Sequence, residues 1–292
     1  MNRIITLTTD FGTGDGYVGT MKGVILRINP QATIVDITHE IAPQSIEQGA
    51  FLFAASARYF PANAIHVLVI DPGVGSTRRP IAVQMGETTY IAPDNGILPL
   101  AIFGQHGYVA PDYGDFPGRT DLLRFVSSLL GSARLVSKMV HLNKPEYWLP
   151  SVSHTFHGRD IFAPCAAHLS LGLPLEALGE PIRDWQWNTS GGHAVRVRDS
   201  IYGRVIHIDH FGTLVTNIQD ELVRGMDHSK IVFNVRGHRI PGLKQTYSEV
   251  AIGQVLALVG STGHIEIAVR NGSAARDLQI RLGEVVVVTL EP

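Results

Sequence analysis

The run AIHVLVIDPGVGSTR, residues 64–78, decides how the fold is read. Residues 64–70 are apolar but for His66 and rich in β-branched side chains, the composition of a buried strand. They empty into Asp71-Pro72-Gly73-Val74-Gly75, where Pro72 stiffens a turn and Gly73 and Gly75 let main chain approach a ligand closely. Working outward, the same rhythm recurs upstream. Residues 3–8 read as a strand, 16–29 as a helix, 33–37 as a strand and 46–59 as a helix ahead of Pro61. The first two strands also end in polar turns, Thr9-Asp10-Phe11-Gly12 and Thr38-His39-Glu40. Alternation of this kind predicts βα units on a mostly parallel sheet, whose carboxyl strand ends are the usual place for a ligand.

Downstream, residues 81–85 and 88–92 flank Gly86-Glu87 as a hairpin, and Pro93-Asp94-Asn95-Gly96 is a turn cluster at a further strand end. Residues 104–118 carry four glycines, two prolines and two tyrosines without period and read as a surface excursion. Residues 161–171 read as a helix interrupted early by Pro164 and stopped at Gly172-Leu173-Pro174. The polar stretch 188–192 reads as a linker. Beyond it the chain becomes short alternating strands at 195–197, 202–209, 214–217, 230–235, 255–259, 264–269 and 285–290, the pattern of a small β-barrel or sandwich. The expected organisation is an α/β domain over residues 1–188 and a smaller β domain over 194–292.

With 45% hydrophobic and 17% charged residues the chain is a folded protein, and 24 Lys and Arg against 26 Asp and Glu leave a net charge of -2. That balance offers no field for a nucleic acid or an anionic membrane. No apolar run approaches the roughly 20 residues that span a bilayer. The lone Cys165 cannot form an internal disulfide and reads as a small buried hydrophobe, which fits a reducing cytoplasm.

Three constellations could carry chemistry. The Asp71 loop could cradle phosphate, although it lacks a Gly-Lys-Ser/Thr ending, and it also offers Arg78. The run Ser153-His154-Thr155-Phe156-His157-Gly158-Arg159-Asp160 crowds two imidazoles, a guanidinium and a carboxylate at a helix entry. A histidine there can be tuned to handle the proton of a bound water. Alternatively, His154, His157 and Asp160 could ligate zinc, or Arg159 and Asp160 could simply form a salt bridge. In the second half, His207-Ile208-Asp209-His210-Phe211-Gly212 ends a strand with a carboxylate for a cation and a ring to stack on a flat base, or is only a β-turn.

Taken in order, Thr-Thr-Asp-Phe-Gly-Thr at 8–13, Asp-Pro-Gly-Val-Gly-Ser-Thr-Arg at 71–78, Pro-Asp-Asn-Gly at 93–96, Thr-Phe-His-Gly-Arg-Asp at 155–160 and Ile-Asp-His-Phe-Gly at 208–212 resemble the S-adenosylmethionine hydroxide adenosyltransferases, relatives of the fluorinase and chlorinase. The resemblance implies a Rossmann-like α/β domain followed by a β-barrel, assembled as a homotrimer with each site at a subunit interface. It implies hydrolysis of S-adenosylmethionine to adenosine and methionine, with no cofactor and no metal. Asp71, Arg78 and His157 would position and activate water, and Asp10 would hold the ribose. Thr155 and Phe156 would line the reacting carbon, Asp209 would meet the ammonium, and Phe211, Thr213, Ser261, Arg270, Asn271 and Asn95 would complete the substrate contacts. Gly158 stands where the halogenases place a halide-binding hydroxyl. The chain departs from the pattern at Thr213, where relatives usually carry Asn, and in a longer stretch over 104–144. A non-catalytic binder of S-adenosylmethionine or adenosine, and a metal-dependent nucleoside hydrolase, are the rival readings.

Overall fold

The computed structural model describes residues 3–103, 136–187 and 193–291. The described residues fall into two compact units, 3–103 with 136–187, and 193–291. The expected linker at 188–192, the junction it marks and the excursion at 104–118 lie outside them.

In the first unit, β1 (Ile4–Thr9), β2 (Thr33–Thr38), β3 (Ile65–Val69), β4 (Pro80–Met85), β5 (Thr88–Pro93), β6 (Val136–His141) and β7 (Glu180–Pro181) form one sheet in the order β2-β1-β3-β5-β4-β6-β7. The four strands β2, β1, β3 and β5 are parallel, and β4 runs antiparallel to both β5 and β6. Gly86, with φ of +56°, turns β4 into β5. Helices α1 (Tyr17–Ile28) and α2 (Ile46–Ala57) are the crossovers between the first three strands, α3 (Ile97–Phe103) follows β5, and α4 (Ala163–Ser170) comes later. Side chains alternate along β3 because successive residues point to opposite faces. Ile65, Val67 and Val69 join Met21 and Ile25 of α1 and Cys165 and Leu169 of α4 in one core, while Leu68 and Ile70 join Phe53 of α2 and Leu98 of α3 in another. Each such fully buried side chain contributes ~1.5–3 kcal/mol. Cys165 is buried as expected of a small hydrophobe, and burial pushes its thiol pKa up. Helices therefore cover both faces, and the chain leaves β1 toward β2 but returns to β3 on the other side. This reversal puts the ends of β1 and β3 side by side, the place where open sheets bind ligands.

The helix expected over 161–171 starts earlier. A π-helical turn, Gly158–Phe162, precedes α4, with the Ala163 amide reaching back to the Gly158 carbonyl. Pro164 lies at the start of α4, where a missing N–H costs nothing. The disruption assigned to Pro164 is thus a wide turn before it.

The second unit is a nine-stranded sheet, with β8 (Val195–Val197), β9 (Ser200–Ile208), β10 (Leu214–Gln219), β11 (Ile231–Val235), β12 (His238–Pro241), β13 (Leu243–Lys244), β14 (Val255–Val259), β15 (His264–Val269) and β16 (Val285–Leu290). Its order is β12-β11-β16-β9-β10-β15-β14-β13, with β8 paired to β9. The two end strands are joined in the chain through Gly242, so the sheet curls nearly back on itself around Phe233, Ile201, Ile218 and Ile267. Among the described residues, no helix is long and apolar enough to cross a membrane.

Candidate active site

Asp10 follows β1 and Asp71 follows β3, two neighbouring strands in register with Thr9 opposite Val69. The Asp71 carboxylate is gripped by one arginine. Its Oδ1 accepts from Arg78 Nε at 2.9 Å, and its Oδ2 accepts from Arg78 Nη2. Both side chains are buried, at 5% and 8% exposure, so the pair rests on this two-pronged geometry to offset desolvation. Arg78 Nη2 also donates to His157 Nδ1 at 2.7 Å, and the guanidinium lies 5.4 Å from the centre of the Phe162 ring. Arg78 Nη1 is buried and has no hydrogen-bond partner among the described residues. A guanidinium can only donate, so His157 Nδ1 is the unprotonated nitrogen and the neutral ring keeps its proton on Nε2. Burial, and then the Arg78 charge, hold the His157 pKa below the ordinary imidazole value, outweighing the opposite pull of Asp71 and Asp160. The set therefore combines one carboxylate, already paired, with two groups able to donate.

Local sequence explains why these residues meet. Within the Asp71 loop, Ser76 Oγ donates to the Gly73 carbonyl at 2.6 Å and accepts from the Arg78 amide at 3.2 Å, which folds Arg78 back toward Asp71. At Gly75, φ is +78°, and a methyl group there would stand 2.4 Å from the His154 carbonyl oxygen. The loop can lie against the 153–160 segment only because that side chain is missing. The 153–160 segment is itself wound around Asp160, which is fully buried. Its Oδ1 accepts from Arg159 Nε at 2.6 Å and its Oδ2 from the Ser153 amide at 2.8 Å. Burial opposes the charge on Asp160, but Arg159 and Ser153 outweigh it and hold the pKa low. The salt-bridge reading of Arg159 and Asp160 is the one observed. With Asp160 engaged and His157 Nδ1 on Arg78, the zinc set is not assembled, and among the described residues no three such side chains converge to hold a metal.

The other residues singled out in the sequence distribute as follows. Asp10 is half-buried, with Oδ2 accepting from the Gln44 amide at 2.7 Å. The turn after it is pinned by His39, whose Nδ1 meets Thr9 Oγ1 at 2.8 Å and whose carbonyl accepts from the Gly12 amide at 2.7 Å. Phe156 stands edge-on to Phe11 and Tyr17, ring centres 5.7 and 5.3 Å away, and forms an aromatic wall. Gly158 lies beneath it, where a methyl group would meet Phe11, Phe156 and Met21 Sδ at 3.3 Å each. Thr155 is exposed. Asn95 gives its amide Nδ2 to the Ile70 carbonyl at 2.8 Å, and its Oδ1 accepts from the Ile97 amide at 3.2 Å.

In the second unit, Asp209 Oδ1 accepts from the amides of Phe211 and Thr213 at 3.0 and 2.7 Å, so it caps its own turn and leaves the Phe211 ring 76% exposed. Thr213 is buried. Arg270 gives Nη1 to the Val250 carbonyl at 2.6 Å, a local tie, while Ser261 and Asn271 are exposed. Glu266 and Tyr247 were not foreseen. Burial, and then the charge of Asp209, raise the Glu266 pKa, and the Tyr247 hydroxyl lies 3.5 Å from its Oε2. The available signal was a lone carboxylate inside the apolar strand His264–Val269. Tyr17 was also missed, an exposed ring on the first residue of α1.

Strand-end carboxylates at a sheet reversal, one of them paired with a buried arginine and a neutral histidine, define an α/β protein equipped to hold a small polar ligand and act on it. Comparison with known proteins makes this specific. Residues 5–113 and 103–179 match the SAM hydroxide adenosyltransferase N-terminal domain, and residues 203–287 match the C-terminal domain of the same name. The chain is 34% identical to the (R)-S-adenosyl-L-methionine hydrolase of Salinispora tropica, covering 98% of this chain and 97% of that one. It is 34% identical to the enzyme of the same name from Thermus thermophilus (96% and 97%) and 26% identical to the fluorinase of Actinopolyspora mzabensis (98% and 97%). A crystal structure of an uncharacterized conserved protein from Thermotoga maritima superposes with a TM-score of 0.81 at 30% identity, over 98% of this chain and all of that one. The chain belongs to the SAM hydroxide adenosyltransferase family.

Proposed function

We propose that this chain hydrolyses (R)-S-adenosyl-L-methionine to adenosine and L-methionine, with water or hydroxide attacking the ribose C5′. The observation that carries the reading is the Asp71–Arg78–His157 set, in which the Asp71 and Arg78 side chains are buried, His157 is half-buried with its proton on Nε2, and Arg78 Nη1 has no partner among the described residues. The C5′–S bond breaks as the C5′–O bond forms, and the electron pair leaves on sulfur as a neutral thioether. When water attacks, its second proton goes to solvent, so the products are adenosine, methionine and one proton. A sulfonium is a good leaving group, so the protein's task is to position the oxygen in line and favour its hydroxide-like form. Two donors do that, because hydrogen bonds to the charged form lower a group's pKa. Asp71 holds Arg78 in place.

In this reading Asp10 binds the ribose hydroxyls and Phe156 and Thr155 flank the reacting carbon. Asp209 takes the ammonium, and Phe211, Thr213, Ser261, Arg270 and Asn271 contact the remainder of the substrate, with Asn95 nearby. The hydrolase names of the relatives that are 34% identical support water as the nucleophile, as does the glycine at 158. The architecture we infer is a Rossmann-like domain over 1–188 and a β-barrel over 194–292, assembled as a cytoplasmic homotrimer with sites at subunit interfaces and no cofactor beyond the substrate. The helices on both faces of the first sheet and the nearly closed second sheet support the two domain folds.

Purified protein incubated with each sulfonium epimer, with products separated chromatographically, tests the proposal. Adenosine and methionine in equal amounts from the (R) epimer, lost in Arg78→Ala, are expected. Binding of adenosine without its release from either epimer would make the protein a non-catalytic binder.

A further inference from the structure

The turn at residues 93–96 grips both stems of the Asp71 loop. At the first stem, Asn95 Nδ2 donates to the carbonyl of Ile70, the residue just before Asp71, at 2.8 Å. At the second, the Asp94 amide donates to the carbonyl of Arg79, the residue just after Arg78, at 2.8 Å. Asp94 Oδ2 also accepts from Arg79 Nε and Nη2 at 2.9 and 2.6 Å, and its Oδ1 accepts from the Gln186 amide at 2.7 Å. Asn95 is in turn fixed to the head of α3 by the Ile97 amide. The Asp94 carboxylate is buried and fully engaged by these donors.

We propose that Asp94 and Asn95 are positioning residues, which set the spacing of the two loop stems so that Arg78 reaches Asp71 and His157 together. The inference rests on the hydrolase reading and changes the part given to Asn95 from touching substrate to holding the loop. A turn that served only its own stability would direct these groups at its own backbone. Here they reach residues 70 and 79, and between those stems a single nitrogen, Arg78 Nη2, must meet both Asp71 Oδ2 and His157 Nδ1. Such an arrangement tolerates little displacement of either stem, because an error of about 1 Å at a reacting group costs on the order of 100-fold in rate.

Asn95→Ala and Asp94→Asn, the second keeping every backbone contact of the turn, test this by kinetics, thermal midpoint and NMR titration of the His157 ring, assigned with His157→Gln. In each folded variant kcat is expected to fall about 10- to 100-fold with KM little changed. The further loss from Asn95→Ala should shrink in an Arg78→Lys background, because residues acting through one another are not additive. The His157 titration should move up toward the ordinary imidazole value as Arg78 relaxes, since burial lowers it first and Arg78 is the largest of the charges around that ring, the others being Asp71, Asp160 and His154. Unchanged kcat and an unchanged titration in folded protein overturn the inference, as does a raised KM at constant kcat, which would return Asn95 to the substrate. If the wild type releases no adenosine, the hydrolase reading fails, and the His157 titration still decides whether the turn positions the set.

Discussion

Two polar turns of this molecule, at Asp71 and Asp209, are held in opposite ways. Asp71 in the first unit binds a buried side chain seven residues away, which in turn binds a half-buried one 79 residues further along. Asp209 in the second unit binds amides two and four residues away, and its neighbour Phe211 projects into solvent. The first turn is preorganised by long-range charge pairing, which commits it to a fixed geometry. The second is a local cap with an exposed ring, suited to adapting to part of a ligand. Fixed geometry serves a reacting atom, and an adaptable aromatic platform serves recognition.

Breaking the first turn has the largest effect. Arg78→Ala leaves a buried carboxylate unpaired, so about 3–5 kcal/mol of stability is lost together with about 100- to 1,000-fold in kcat. Chemical denaturation and steady-state assays measure the two losses. The double variant Asp71→Leu, Arg78→Met separates them: it should recover most of the stability and none of the activity.

Acid probes the strand that carries Asp71. His66 on β3 is buried, with its Nδ1 2.7 Å from Thr6 Oγ1, and burial lowers its pKa to about 4. Below about pH 6.5 the unfolded chain takes up a proton that the folded ring refuses until about pH 4, so stability falls across that window and levels off beneath it. The fall due to this ring is about 3 kcal/mol, and His66→Asn should flatten the denaturation midpoint over the same range. Activity should fade with acid for a separate reason, with a limb below the ordinary imidazole value, because a protonated His157 can no longer accept from Arg78.

The second turn should respond more mildly. Asp209→Ala uncaps two amides, costing about 1–3 kcal/mol, and raises KM while kcat stays near wild type. Phe211→Ala should raise KM at a stability change within about 0.5 kcal/mol, the ordinary range for a solvated side chain. A fall in kcat with unchanged KM in either variant would erase the distinction between the turns.

Much of this contrast is legible in the sequence. The alternating strands and helices of the first hundred residues, the hairpin at Gly86 and seven strands of the second unit follow from local periodicity, and the Asp209 turn is a local motif. The strands His238–Pro241 and Leu243–Lys244 escaped notice because they are short and contain or adjoin Pro241 and Gly242. The strand Val136–His141 escaped too, since its sequence includes Ser137 and Lys138 on exposed positions. The family resemblance implies Asp71, Arg78 and His157 as a group, but not which atoms meet, because contacts across 79 residues leave no period. The structural work of Asn95 and Arg270 was hidden for the same reason. Their partners are backbone carbonyls, which look alike in every sequence.

The central claim is that the buried Arg78 and the half-buried His157 present water to C5′. Turnover of S-adenosylmethionine in 18O-enriched water, with mass spectrometry of the adenosine, measures this directly. One labelled oxygen at the 5′-hydroxyl per adenosine, and no adenosine above background from His157→Ala, is the predicted result. Unlabelled adenosine, or labelled adenosine formed equally well by His157→Ala, would contradict it.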